Sequence, residues 1–148
     1  MREFAVGLAV CASLSAFSEP FKDGDTVVFF GDSITHAGRY HEFVTDFYRT
    51  RFPEAKIRFV NSGVGGDSAK DALPRIAVDV AAYKPTWVGF HFGMNDIGRS
   101  DYTATPSAEQ LVRADAAQTG YRSDLAALVA AVRKAVPGAN PVYFTPTI

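Results

Sequence analysis

The chain has 148 residues, of which 47% are hydrophobic and 21% are charged. These values are typical of one globular domain that is long enough to bury a core. The formal net charge of −1, without any cluster of basic residues, argues against nucleic acid or an anionic membrane surface as the main partner.

The N-terminal segment differs in composition from the rest of the chain. Its apolar stretch, Phe4–Phe17, is shorter than the roughly 20 apolar residues that cross a bilayer, so no stable membrane insertion is expected. It has the length of the hydrophobic part of a secretory signal, and Ala16-Phe17-Ser18 provides the small residues that a signal peptidase recognises. We therefore expect residues 1–18 to be a signal peptide and residues 19–148 to form a secreted or periplasmic domain. An N-terminal helix that packs on the domain is the alternative.

Short apolar runs alternate with helical patterns after residue 25. This alternation is typical of an α/β protein in which helices cover both faces of a parallel sheet. We therefore expect a three-layer α/β/α architecture with a central parallel sheet. The predicted strands are Thr26–Phe30, Ile57–Val60, Trp87–Phe92 and Val142–Phe144.

Three segments between these strands carry apolar residues at a spacing of three to four, which predicts amphipathic helices. They are Tyr40–Phe52, Asp67–Tyr83 and Tyr121–Ala135. The first helix is expected to bury the side chains of Phe43, Val44, Phe47 and Tyr48. Residues 97–119 are polar and indicate an irregular segment, in which Pro106-Ser107 could begin a short helix.

Polar or glycine-rich turns follow the first three strands: Gly31-Asp32-Ser33, Gly65-Gly66-Asp67 and Gly93-Met94-Asn95-Asp96. Because the carboxyl ends of parallel strands lie at one edge of a sheet, these turns are expected to converge on one crevice. There the Ser33 hydroxyl could serve as a nucleophile, and the Gly66 N–H and the Asn95 amide could bind a developing oxyanion. Asp32 and Asp96 are candidates for supporting residues behind these groups. The alternative for Ser33 is a role as a helix cap.

The segments Phe30–Thr35, Asn61–Ser68 and Gly93–Asp96 resemble, in this order, the first three sequence blocks of the SGNH hydrolases, or GDSL esterase/lipase superfamily. The resemblance extends over about Thr26–Ile148. It implies a flavodoxin-like SGNH hydrolase fold and hydrolysis of a carboxylic ester through an acyl-enzyme on Ser33. It also implies that the oxyanion hole consists of the N–H groups of Ser33 and Gly66 and the amide of Asn95.

The last block of this superfamily, an Asp-x-x-His that supplies the general base and its orienting acid, has no match in the sequence. The three histidines, His36, His41 and His91, all precede Asn95. We therefore expect that the chain is truncated before this block and that the 148-residue chain alone is nearly inactive. His36 could replace the base or line the cleft, His41 is expected to be solvated, and His91 is expected to be a hydrogen-bonded core residue.

The expected substrate is a small-molecule or glycan ester, with O-acetyl esters of carbohydrates favoured because the sequence has no extended apolar lid. A lipid acyl esterase, a lysophospholipase or a thioesterase of the same superfamily is the alternative. No cofactor is expected, and no metal either, because no group of residues has the spacing of metal ligands. Two alternative hypotheses assign the chain to other functional classes. One is a non-catalytic carbohydrate-binding protein on the same fold. The other is a nucleotide-binding domain, suggested by Gly63-x-Gly65 after a strand.

Overall fold

A computed structural model describes residues 21–145, and the predicted signal peptide lies outside them. Four strands form one parallel sheet in the order β2-β1-β3-β4. They are β1 (Thr26–Gly31), β2 (Arg58–Gly63), β3 (Trp87–His91) and β4 (Asn140–Tyr143). The chain runs from β1 to β2 on one side and then crosses to β3 on the other. Open α/β sheets bind their ligands at such a switch point, outside the carboxyl ends of the strands.

The described residues form four α-helices: α1 (Ser33–His36), α2 (Arg39–Arg51), α3 (Ile76–Asp79) and α4 (Ala108–Ala135). Helices α2, α3 and α4 cover the two faces of the sheet. Alternate residues of β1 point to opposite faces. Val28 and Phe30 pack in the core under α3 and α4, whereas Val27 and Phe29 pack in the core under α2. The predicted three-layer α/β/α architecture is confirmed. Within residues 21–145, none of the helices combines the length and apolar composition that a transmembrane segment needs.

The predicted helix over Asp67–Tyr83 is wrong in extent. The structure has only the single turn of α3, between 3-10 turns at Leu73–Arg75 and Ala81–Tyr83. Pro74 lacks the N–H that a continuous helix would need. Before it, the Ser68 N–H donates to Asp71 Oδ2 (3.1 Å) and the Asp71 N–H donates to Ser68 Oγ (3.2 Å). Such local side-chain hydrogen bonds compete with helical ones.

The prediction of an irregular segment over residues 97–119 is wrong for its second half. A helix does begin after its N-cap Ser107, as Pro106-Ser107 suggested, but it is not short: α4 continues from Ala108 to Ala135 without a break. Ser107 and Gln110 form a capping box: the Gln110 N–H donates to Ser107 Oγ (3.2 Å), and the Ser107 N–H donates to Gln110 Oε1 (2.9 Å). This pair satisfies two of the N–H groups that a helix start leaves free, and it starts the helix well before the apolar periodicity becomes visible.

Helix α2 buries fewer side chains than its pattern predicts. Tyr48 is buried and Val44 is half-buried, but Phe43 is 77% exposed and Phe47 is 49% exposed. The inward stripe of α2 passes through Tyr40, Val44 and Tyr48, which pack against the sheet. Phe43 and Phe47 lie beside this stripe, along an apolar groove of about 520 Å³.

Candidate active site

Ser33 is the first residue of α1 and is exposed at the carboxyl edge of the sheet. The cap of α1 is the preceding residue, because Asp32 Oδ1 accepts a hydrogen bond from the Ile34 N–H (2.9 Å). The alternative that Ser33 caps the helix is therefore wrong. Within residues 21–145, neither the N–H nor the hydroxyl of Ser33 has a hydrogen-bond partner, so both are free to meet a ligand.

Helix α1 lies directly on the ends of β1 and β2, and two glycines make this approach possible. A Cβ at Gly31 would overlap Thr35 Oγ1, and a Cβ at Gly63 would overlap the backbone nitrogen of His36. The Thr35 hydroxyl is in turn hydrogen-bonded to the Tyr40 hydroxyl (2.9 Å). These contacts fix the backbone of Ser33 relative to both strands.

The second turn, which contains Gly66, is joined to the first turn through Val64. The Val64 N–H donates to the carbonyl of Gly31 (3.0 Å), and the Asp67 N–H closes the turn on the carbonyl of Val64 (3.3 Å). Gly66 adopts a φ of 87°, which L-residues with a side chain rarely adopt, so glycine is required here. Its N–H has no hydrogen-bond partner in the described part of the chain.

The third turn holds the second through two adjacent side chains. Asn95 Nδ2 donates to the carbonyl of Asp67 (2.9 Å), and Asp96 Oδ1 accepts from the Ala69 N–H (2.8 Å). Since a carbonyl oxygen only accepts, the Asn95 amide nitrogen must face Asp67. An amide nitrogen carries two hydrogens, so Asn95 keeps one donor for a ligand.

Asp32 and Asp96 contribute two carboxyl groups to the site. The Oδ2 atoms of Asp32 and Asp96 are buried and have no hydrogen-bond partner in the described residues. Burial raises the pKa of Asp96, and the charges of Asp124 and Asp32 raise it further, although the N–H groups of Ala69 and Gly93 oppose this. A carboxylate charge opposes an oxyanion and favours a cation. Stabilisation of an oxyanion must therefore come from the N–H donors.

His36 is exposed, and its Nδ1 lies 3.2 Å from the carbonyl of Gly63. This contact favours the tautomer that has its proton on Nδ1 and its lone pair on Nε2. Within residues 21–145, no histidine nitrogen forms a hydrogen bond with the Ser33 hydroxyl. The described part of the chain thus presents a serine hydroxyl and N–H donors, without a histidine hydrogen-bonded to that hydroxyl.

The other two histidines depart from expectation. His41 is not solvated: it stacks on Phe29 with a centroid distance of 5.2 Å, and its Nε2 is buried without a partner in the described residues. His91 is 6% exposed and packs on Tyr40, but neither ring nitrogen has a partner there. Burial lowers the pKa of His91 against the opposing charge of Asp32, and burial raises the pKa of Tyr40 to about 12. The side chains of His91 and Tyr40 are therefore neutral at pH 7.

No group of three or more histidine, cysteine, aspartate or glutamate side chains within residues 21–145 has the arrangement of a metal site. The polar groups that this edge of the sheet presents are thus those of its serine, glycine and asparagine turns.

The model of the GDSL-like Lipase/Acylhydrolase family matches residues 29–148. An acetylxylan esterase of Geobacillus stearothermophilus is 35% identical over a match that covers 51% of this chain and 42% of that protein. Among solved structures, a catalytic mutant of the acetylxylan esterase Axe2 from the same organism superposes with a TM-score of 0.66 and 30% identity, over 85% of this chain and 61% of that one. A gut microbial diltiazem-metabolizing enzyme superposes with a TM-score of 0.65 and 33% identity, over 84% and 27%. The chain spans less than two thirds of each of these relatives.

Proposed function

Because the chain belongs to the GDSL-like lipase/acylhydrolase family of SGNH hydrolases, we propose that it carries the nucleophile and the oxyanion hole of a serine esterase. The observation that carries the proposal is the contact between Asn95 Nδ2 and the carbonyl of Asp67. It joins the asparagine turn to the glycine turn at the sheet edge where Ser33 is exposed. The N–H groups of Ser33 and Gly66, which have no hydrogen-bond partner within residues 21–145, supply the two backbone donors.

In the proposed reaction, Ser33 Oγ attacks the ester carbonyl while a general base takes the hydroxyl proton. The carbonyl oxygen becomes an oxyanion that accepts hydrogen bonds from the N–H groups of Ser33 and Gly66 and from Asn95 Nδ2. Each such donor contributes about 3 kcal/mol to the stability of the transition state. The alcohol leaves with a proton, and water then hydrolyses the acyl-enzyme on Ser33. We propose this activity for the whole protein.

We propose O-acetyl esters of carbohydrates as the substrates, an assignment supported by the likeness to the acetylxylan esterase. The whole protein is expected to release acetate from acetylated xylo-oligosaccharides with a kcat/KM at least about tenfold higher than that for p-nitrophenyl octanoate. A site for a short acyl group gains no transition-state binding from the longer chain of octanoate, whereas a long acyl pocket would favour octanoate. Acetate release and p-nitrophenol absorbance measure the two rates.

The Ser33→Ala variant is the blank for both assays. A preference for octanoate would favour a lipid acyl esterase and would contradict the acetyl assignment. Binding of the oligosaccharide without Ser33-dependent acetate release would contradict the esterase and favour a non-catalytic carbohydrate-binding protein.

We also propose that residues 1–18 are a signal peptide and that the domain is exported. The composition of Phe4–Phe17 and the small residues at Ala16 and Ser18 support this. The exported protein is then expected to begin at Glu19, which its intact mass reports. An exported protein that retains Met1, or a cell fraction in which all of the protein stays in the cytoplasm, would contradict the proposal.

A further inference from the structure

Arg75 makes more polar contacts at the site than any of the predicted site residues. Its Nε lies 2.6 Å from Asp67 Oδ2, its Nη1 donates to the carbonyl of Ser62 (2.8 Å) and to Asp79 Oδ2 (3.0 Å), and its Nη2 donates to the carbonyl of Gly31 (2.9 Å). The side chain is 15% exposed. Four N–H donors of the guanidinium, which has five in all, are therefore used.

These contacts lead to all three turns of the site. Gly31 carries the carbonyl that precedes the Asp32-Ser33 turn, and Asp67 follows Gly66 directly. The backbone carbonyl of Asp67 accepts the hydrogen bond from Asn95 Nδ2 (2.9 Å). One cation therefore joins the nucleophile turn to the glycine turn, and through Asp67 to the asparagine turn.

Below the guanidinium lies the ring of Phe30, with the Arg75 Cζ 4.5 Å from the ring centroid. Phe30 is fully buried in β1. A guanidinium that stacks on a buried aromatic face is held in one plane, and a planar fork is pre-organised to donate in several fixed directions at once. Lysine has a single ammonium on a flexible stem and cannot reproduce this pattern.

From these contacts we propose that Arg75 is a positioning residue, which sets the distance between the Ser33 turn and the oxyanion donors at Gly66 and Asn95. The proposal rests on the proposed esterase function. Donors of an oxyanion hole act only within a narrow range of distances from the developing charge, so small displacements are costly. The backbone hydrogen bond from the Val64 N–H to the Gly31 carbonyl joins the first two turns, and Arg75 adds contacts of a charged group to Gly31 and Asp67.

The matched control is Asp79. It contacts Arg75 Nη1 (3.0 Å) but belongs to α3 and not to any of the three turns, and its side chain is 30% exposed. Of the two carboxylates that Arg75 contacts, Asp79 is the more exposed (30% against 17% for Asp67), so solvent screens its ion pair more. Asp79→Asn leaves the contacts of Arg75 to Gly31, Ser62 and Asp67 in place.

The test measures kcat and KM of the whole protein with p-nitrophenyl acetate. Arg75→Lys and Asp67→Asn are each expected to lower kcat at least about tenfold while KM changes less than about threefold, the signature of an interaction made in the transition state. Asp79→Asn is expected to stay within about twofold of wild type. The double variant Arg75→Lys/Asp67→Asn is expected to lose no more than the more damaging single variant, because both changes cut the same link.

Three kinetic results would overturn the proposal: wild-type kcat in Arg75→Lys, an Asp79→Asn loss as large as that of Arg75→Lys, or a fall in kcat that only matches a fall in the folded fraction. Amide hydrogen exchange provides a readout independent of turnover. Val64, Asp67 and Ala69 donate hydrogen bonds within these turns, and their exchange is expected to be at least about tenfold faster in Arg75→Lys than in Asp79→Asn.

The two readouts separate this proposal from the esterase assignment. If the wild-type protein shows no Ser33-dependent turnover, the esterase assignment fails, and hydrogen exchange alone decides whether Arg75 holds the turns. Equal exchange in Arg75→Lys and Asp79→Asn would overturn the positioning role in either case.

Discussion

Ser33→Ala is expected to abolish ester hydrolysis by the whole protein, with a fall in kcat of at least about 10⁴-fold, because the proposed acyl-enzyme forms on the Ser33 hydroxyl. The fold is expected to be unchanged. Ser33 is exposed, its hydroxyl has no partner within residues 21–145, and Asp32 supplies the helix cap. An exposed side chain without such a structural role usually changes stability by no more than about 0.5 kcal/mol. Hydrolysis of p-nitrophenyl acetate and thermal unfolding measure the two quantities.

Ser123→Ala is the matched control, because Ser123 is an exposed serine on α4. It should retain wild-type kcat. A fluorophosphonate should add one covalent group to wild type and to Ser123→Ala but none to Ser33→Ala, as read by intact mass. If Ser33→Ala kept more than about a tenth of the wild-type kcat, the nucleophile would be another residue and the proposed mechanism would be wrong.

The sheet and its three polar turns could be predicted because their signals are local. A strand that is buried on both faces needs a continuous apolar run, as in Val27–Phe30, and the turn after it needs glycine or short polar residues. The family resemblance, which rests on these turns, is confirmed by the match of the family model to residues 29–148. Ser33 comes directly after the predicted end of the first strand, and the carboxyl ends of parallel strands lie at one edge of the sheet. The position of Ser33 at that edge could therefore be inferred.

The bounds of the helices were harder to predict, because side-chain hydrogen bonds determine where these helices begin and end. The segment after Gly66 has a helical apolar pattern, yet Pro74 and the Ser68–Asp71 hydrogen bonds reduce it to a single α-turn. The start of α4 depends on one reciprocal pair, Ser107 with Gln110. That pair is a recognisable sequence signal, but it precedes a stretch with little apolar periodicity.

Arg75 could not be found from the sequence. In the predicted continuous helix it would lie two turns away from Asp67, too far for an ion pair. Only the irregular chain between them brings Nε to within 2.6 Å of Asp67 Oδ2. The failure of the helix prediction and the omission of Arg75 therefore have one cause: side-chain hydrogen bonds determine this segment more than apolar spacing does.

Asn95→Ala is expected to lower kcat about 10²- to 10³-fold, the cost of removing one donor from an oxyanion hole. KM should change much less, because the hydrogen bond is stronger to the oxyanion than to the ground-state carbonyl. Asn95→Asp should lose at least as much, since a carboxylate at this position would repel both the oxyanion and the carbonyl of Asp67. Steady-state kinetics with p-nitrophenyl acetate give kcat and KM for each variant.

The matched control is Asn140→Ala. Asn140 is also exposed and also donates from Nδ2 to a backbone carbonyl, that of Thr86 (3.4 Å), but it begins β4 and therefore lies at the opposite edge of the sheet. Its loss should leave kcat within about twofold of wild type. An Asn95→Ala variant that raised KM at unchanged kcat would assign Asn95 to ground-state binding of the substrate. Since a donor to the oxyanion and a donor to the bound ester occupy the same place in the structure, only this split between kcat and KM can tell them apart.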